Sequence, residues 1–123
     1  MKRRALLLDP WKQIIKEIAV EGNLLEALYK IIGCDCVEPH PFPDGSKNDI
    51  WIDESGFLQE PVPACFSLLG SDQPLAGRGV VLGRAGSKTV STALKQEDVE
   101  RLVHWEIWED RIDPRDANPS DIM

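Results

Sequence analysis

The apolar and polar positions fall into short blocks that change period along the chain. Arg4 to Asp9 is a nearly continuous apolar run closed by Pro10, the pattern of a buried strand. Trp11 to Val20 fits two periods, with Ile14, Ile15 and Ile18 at helical spacing or the same stretch alternating as a strand. Its β-branched content and shortness favour a strand paired with the first. Leu24, Leu25, Leu28, Ile31 and Ile32 then lie on one face of a helix. Asn23 suits the N-cap, Glu26 the capping-box position and Gly33 the C-terminal stop, which predicts a helix over Leu24–Ile32.

Beyond the helix the pattern is that of short strands and turns. Cys34 to Val37 is expected to form a short strand, and Pro39 to Gly45 a proline-stiffened loop. Asp49 to Glu54 has the strongest strand pattern, ended by a turn at Ser55-Gly56. Gln59 to Pro74 is irregular. Pro61, Pro63 and Pro74 exclude a long central strand there, and Ala64 to Leu69 is a turn of helix or a short strand. Gly79 to Gly83 reads as a buried strand, with Lys88 to Ala93 returning as its hairpin partner. Gln96-Glu97-Asp98 opens a second helix, its acids at the positive end and Val99, Leu102, Val103 and Ile107 on its core face. The fold class is therefore α+β. A small mixed or mainly antiparallel sheet carries two helices in the order β-β-α-β-β-(irregular)-β-β-α. One domain over 1–112 and a flexible acidic tail over 113–123 are expected.

Composition narrows the function classes. A chain of 123 residues buries enough surface to fold without staples. The net charge of -7 argues against nucleic acid or an anionic membrane as a direct partner, since both require local positive charge. Lys2-Arg3-Arg4 before Ala5–Leu8 imitates the front of a signal peptide, but Asp9-Pro10 ends the apolar run too early. The 3 cysteines are odd in number and sparse, which suits reduced thiols and a cytoplasmic location.

The candidate chemistry is incomplete at each place. Cys34, Cys36, His40 and Cys65 lack the paired CxxC spacing of a zinc knuckle, so free thiols are expected and no metal or cofactor is assigned. The glycine-rich run Gly77 to Thr89 evokes a phosphate loop. However, Ser87 precedes Lys88 and Leu82 stands where the first glycine belongs. Asp49 and Asp53 face one way on a strand but about 13 Å apart, too far for one metal. The two histidines have no nucleophile beside them, so the chain is expected not to be an enzyme.

Two binding features remain. Arg78, Arg84 and Lys88 are cations on a glycine-rich segment of an acidic chain, suited to phosphates, with Trp51 or Trp105 to stack on a base. Trp105 and Trp108 would share a face of the second helix, and with Glu106, Glu109 and Asp110 would make an aromatic anchor rimmed by acids.

The opening strand–strand–helix with Asn23-Leu24-Leu25-Glu26-Ala27-Leu28 and Ile31-Ile32-Gly33 resembles a known family. So do Asp49-Ile50-Trp51-Ile52-Asp53-Glu54-Ser55-Gly56 and Leu75-Ala76-Gly77-Arg78-Gly79-Val80-Val81-Leu82-Gly83. The family is a small domain of unknown function catalogued as number 3846, found largely in phages, plasmids and their bacterial hosts. The resemblance covers about Leu6 to Leu102. It departs at Cys34-Asp35 and at Pro61 and Pro63. It implies a compact α+β fold and a mobile-element setting, and the family supplies no established catalytic residues.

On this basis a non-enzymatic accessory protein is expected. One form sequesters a nucleotide signal, in a pocket that a homo-oligomer would complete, and so counters a host defence. The alternative is an acidic inhibitor or DNA mimic that occupies a basic surface of a host defence or replication protein.

Overall fold

A computed structural model of the chain describes residues 2–58 and 64–106. The strands are β1 (Lys2–Asp9), β2 (Ile14–Glu21), β3 (Val37–Pro41), β4 (Asn48–Asp53), β5 (Cys65–Leu68), β6 (Leu75–Ala76), β7 (Gly79–Ala85), β8 (Lys88–Val90) and β9 (Val103–Trp105). The helices are α1 (Leu24–Ile32) and α2 (Gln96–Glu100). The expected α+β class is what is observed.

The β1–β2 hairpin pairs residue by residue from Lys2 opposite Glu21 to Asp9 opposite Ile14. The main sheet runs β2-β1-β7-β4-β3, with β8 paired to the far end of β7, and each of its pairings is antiparallel. A second sheet, β6-β5-β9, is also antiparallel.

Alternation along the strands gives the main sheet two apolar faces. Ala5, Leu7, Val20, Val80 and Leu82 pack under Leu28 and Ile32 of α1. Leu6, Leu8, Ile15, Ile50 and Val81 pack on the other side against Phe66, Leu68 and Leu75 of the small sheet and against Val99 of α2. Three layers result, with β1 and β7 buried on both faces, as their continuous apolar runs require. Gly79 lets the layers approach: an added Cβ would lie 2.9 Å from Ile50 Cδ1 and 3.0 Å from Phe66 Cζ.

Local signals explain α1. The Asn23 side chain accepts from the Glu26 amide at 3.0 Å, and Gly33 ends the helix at φ +83°, where glycine carries no Cβ penalty.

Three expectations need correction. Cys34 and Cys36 lie before β3, and Pro39 to Pro41, expected as loop, is strand. Its two prolines are tolerated because β3 is the sheet edge, where a missing N–H faces away from β4. Of the two forms expected for Ala64 to Leu69 the strand is observed, as β5, and Leu75–Ala76 just past the irregular stretch adds β6. The second helix stops at Glu100, and Val103 to Trp105 form β9 on β5, with Trp105 opposite Phe66. The β-branched and aromatic Val103 and Trp105 suit a strand, and Leu69 N–H donating to Leu102 O at 2.8 Å holds the turn between them. Ile107, Trp108 and the predicted tail over 113–123 lie outside the described residues.

Candidate functional site

The four residues expected to hold a nucleotide do not form one site. Arg78 ends up inside the protein, 4% exposed. Its Nε lies 3.5 Å from Asp9 Oδ2, and its guanidinium covers the Trp11 ring at 4.8 Å from the centroid. Asp9 in turn accepts from the Trp11 and Lys12 amides through Oδ1, which fixes the turn between β1 and β2. Arg78 is thus a pin between β1 and the entry to β7.

Arg84 lies six residues further on, about 20 Å away at strand rise. It forms an ion pair with Asp49 of β4. By strand alternation Arg84 shares the α1 face with Trp51, while Lys88, opposite Ala85, is exposed and projects to the other face. The Trp51 ring packs partly into the cluster beneath α1, and its Nε1 is buried without a hydrogen-bond partner among the described residues. The glycines of this segment act in close packing and in turns. At Gly83 an added Cβ would meet Ser91 O at 2.5 Å.

The cysteines and histidine are likewise separate. No group of three or more His, Cys, Asp or Glu side chains that could hold a metal occurs among the described residues. Cys65 is buried in β5, Cys36 is exposed, and His40 Nε2 bonds Glu38 Oε1 at 3.0 Å. Burial first, and then the Asp53 and Asp35 carboxylates, push the Cys34 thiol up to about 11, so it stays protonated at neutral pH.

The second predicted feature is partly assembled, on a strand rather than a helix. A groove of about 480 Å³ opens between the start of β2 and the α2–β9 segment, with Ile14 and Lys16 on one side and Gln96, Glu100, Val103 and Trp105 on the other. Trp105 is half-buried and meets Phe66 edge to face, with centroids 6.0 Å apart and planes at 63°. The indole therefore caps the core and walls the groove together. Glu106 follows it, its amide bonded to Cys65 O at 3.0 Å. Trp108, Glu109 and Asp110 lie outside the described residues. Ile14, Lys16, Gln96 and Glu100 were not singled out as site residues from the sequence. The available signal was Ile14 directly before Ile15, since alternation on a strand sends the two to opposite faces.

No helix among the described residues is long and apolar enough to cross a membrane. No curated protein and no solved structure matches the chain. A family model does, over residues 1–105, and it covers both sheets, both helices and the groove. The chain therefore belongs to the DUF3846 family, a domain of unknown function.

Proposed function

We propose that the protein acts by binding a protein partner with a basic surface, through the groove walled by Trp105, and not by chemistry or by capture of a nucleotide. The observation that carries this reading is a contrast between two regions. Arg78 and Arg84, the cations best suited to an anionic ligand, are each committed to a carboxylate, Asp9 and Asp49. The groove instead offers a half-buried tryptophan, with Glu100 and Lys16 also on its walls and Glu106 next to the tryptophan in the chain. Aromatic side chains in partly desolvated clefts are the usual anchors of protein interfaces, and acids around them select a basic partner. The net charge of -7 favours the same class of partner through long-range steering. The family resemblance supports a mobile-element setting, in which the partner is a host defence or replication protein and the location is the cytoplasm.

The test is site-specific photo-cross-linking from position 105, followed by mapping of the joined peptide. A peptide from a lysine- or arginine-rich surface is the expected product. In parallel, cyclic and ADP-ribose-derived nucleotides are screened by melting temperature and for their chemical fate. A nucleotide that raises the melting temperature of the wild type but not of Arg84→Ala would replace this reading with the nucleotide one. A nucleotide that is consumed would establish catalysis.

A further inference from the structure

We infer that β2 is a self-association edge, through which a second copy of this chain extends the main sheet with its own β2, related by a two-fold axis at Ile18. This goes beyond the groove reading and shares with it only the start of β2, where Ile14, Ile15 and Lys16 line the groove.

The main sheet has two ends. At one, β3 carries Pro39 and Pro41, which remove two backbone donors, and Glu38 and His40 lie between and beside them. Prolines and charges are the ordinary means of keeping a sheet edge from pairing. The edge strands of the small sheet are short, two residues in β6 and three in β9. At the other end of the main sheet, β2 is eight residues long and has neither proline nor glycine within it. Among the described residues its backbone pairs only with β1. Unlike β3 it has no proline, and its charges, Lys16, Glu17 and Glu21, restrict the register of pairing without removing a backbone donor.

Its sequence also selects a register. In a two-fold antiparallel pair, the residue at the axis faces its own copy, and positions equidistant from the axis face each other. An axis at Lys16 or at Glu17 sets like charges directly opposite, and an axis at Ala19 sets Glu17 against Glu21. Like charges directly opposite destabilise a strand pair. Axes nearer the ends of β2 overlap only a few residues. An axis at Ile18 avoids all of these. Ile18 meets Ile18, Lys16 meets Val20, Glu17 meets Ala19, and Ile15 meets Glu21.

The exposed apolar surface agrees with this register. Ile14 is 41% exposed and Leu25 is 45% exposed, and they flank β2 at its two ends. With the axis at Ile18, Ile14 lies opposite Gly22 of the second copy, beside the first turn of its α1, where Leu25 stands. Each exposed side chain is thereby brought toward the other, twice by symmetry. Glu21 of the second copy also comes opposite Ile15 at the rim of the groove, so association adds acidic charge there.

The experiment is molar mass by sedimentation equilibrium on the full chain over a range of micromolar concentrations. Wild type is expected to approach twice the mass of one chain. Ala19→Glu sets a carboxylate opposite Glu17 in both halves of the interface and is expected to return the single-chain mass with an unchanged circular dichroism spectrum. Ala19 is exposed and faces Arg4 across the β1–β2 hairpin, so the fold accommodates the new acid. The double variant Glu17→Lys/Ala19→Glu turns each repulsive pair into an attractive one, keeps a carboxylate opposite Arg4, and is expected to restore the doubled mass. A wild type that stays single at every concentration overturns the inference. A pair that survives Ala19→Glu, or that the double variant fails to restore, overturns the register at Ile18.

Discussion

Arg78 and Asp9 form a buried ion pair at the bottom of the main sheet, Nε to Oδ2 3.5 Å, with both side chains almost fully removed from solvent. Removing one partner of such a pair leaves the other charge buried without compensation. Arg78→Ala is therefore expected to lower unfolding free energy by about 3–5 kcal/mol in urea denaturation. Arg78→Ala/Asp9→Ala should lose less than the sum of the single changes, as contacting residues do. Additive losses would show that the two are not coupled.

Cys34 makes stability depend on pH in the alkaline range. Its thiol is held protonated in the folded chain up to about 11, against 9.0 for a free thiol. The folded state binds this proton more tightly than the unfolded state. Its contribution to stability is thus complete below about 9 and lost as pH rises through about 11. Alkylation followed by mass spectrometry at neutral pH should modify Cys36 first, Cys34 slowly and buried Cys65 last. Rapid modification of Cys34 at pH 7 would contradict the assigned environment.

Two glycines of β7 should tolerate a methyl group unequally. At Gly83 the obstacle is the Ser91 backbone carbonyl, 2.5 Å from the added Cβ. At Gly79 it is the side chains of Ile50 and Phe66, 2.9 and 3.0 Å away, which can shift. Overpacking costs roughly 1–3 kcal/mol, and Gly83→Ala is expected at or above the top of that range with Gly79→Ala below it. Thermal denaturation of the two variants checks the order.

These residues also show how far the sequence could be read. The caps at Asn23 and Gly33 located α1, because a cap is a local interaction that its own neighbours determine. The β1–β2 hairpin was legible from β-branched content. The strand character of Pro39–Pro41 and of Val103–Trp105 was not, since an edge position and a pairing with β5 are properties of the assembled sheet. The same limit misassigned Arg78. Its glycine-rich neighbours suggested an open, phosphate-binding loop, whereas Gly77, at φ +85°, turns the chain so that Arg78 points inward to Asp9. Trp105 stood out in the sequence, but its place on a strand beside β2 and α2 required the fold.

The binding reading stands or falls on the dissociation constant of the purified complex with the cross-linked protein, measured at several salt concentrations for wild type, Trp105→Ala and Arg84→Ala. Truncating an interface anchor costs on the order of 2 kcal/mol or more, a weakening of roughly thirty-fold. That loss is expected for Trp105→Ala, with little change for Arg84→Ala and affinity that falls as salt rises. Unchanged affinity in Trp105→Ala together with a large loss in Arg84→Ala would contradict the groove and return the site to the glycine-rich segment.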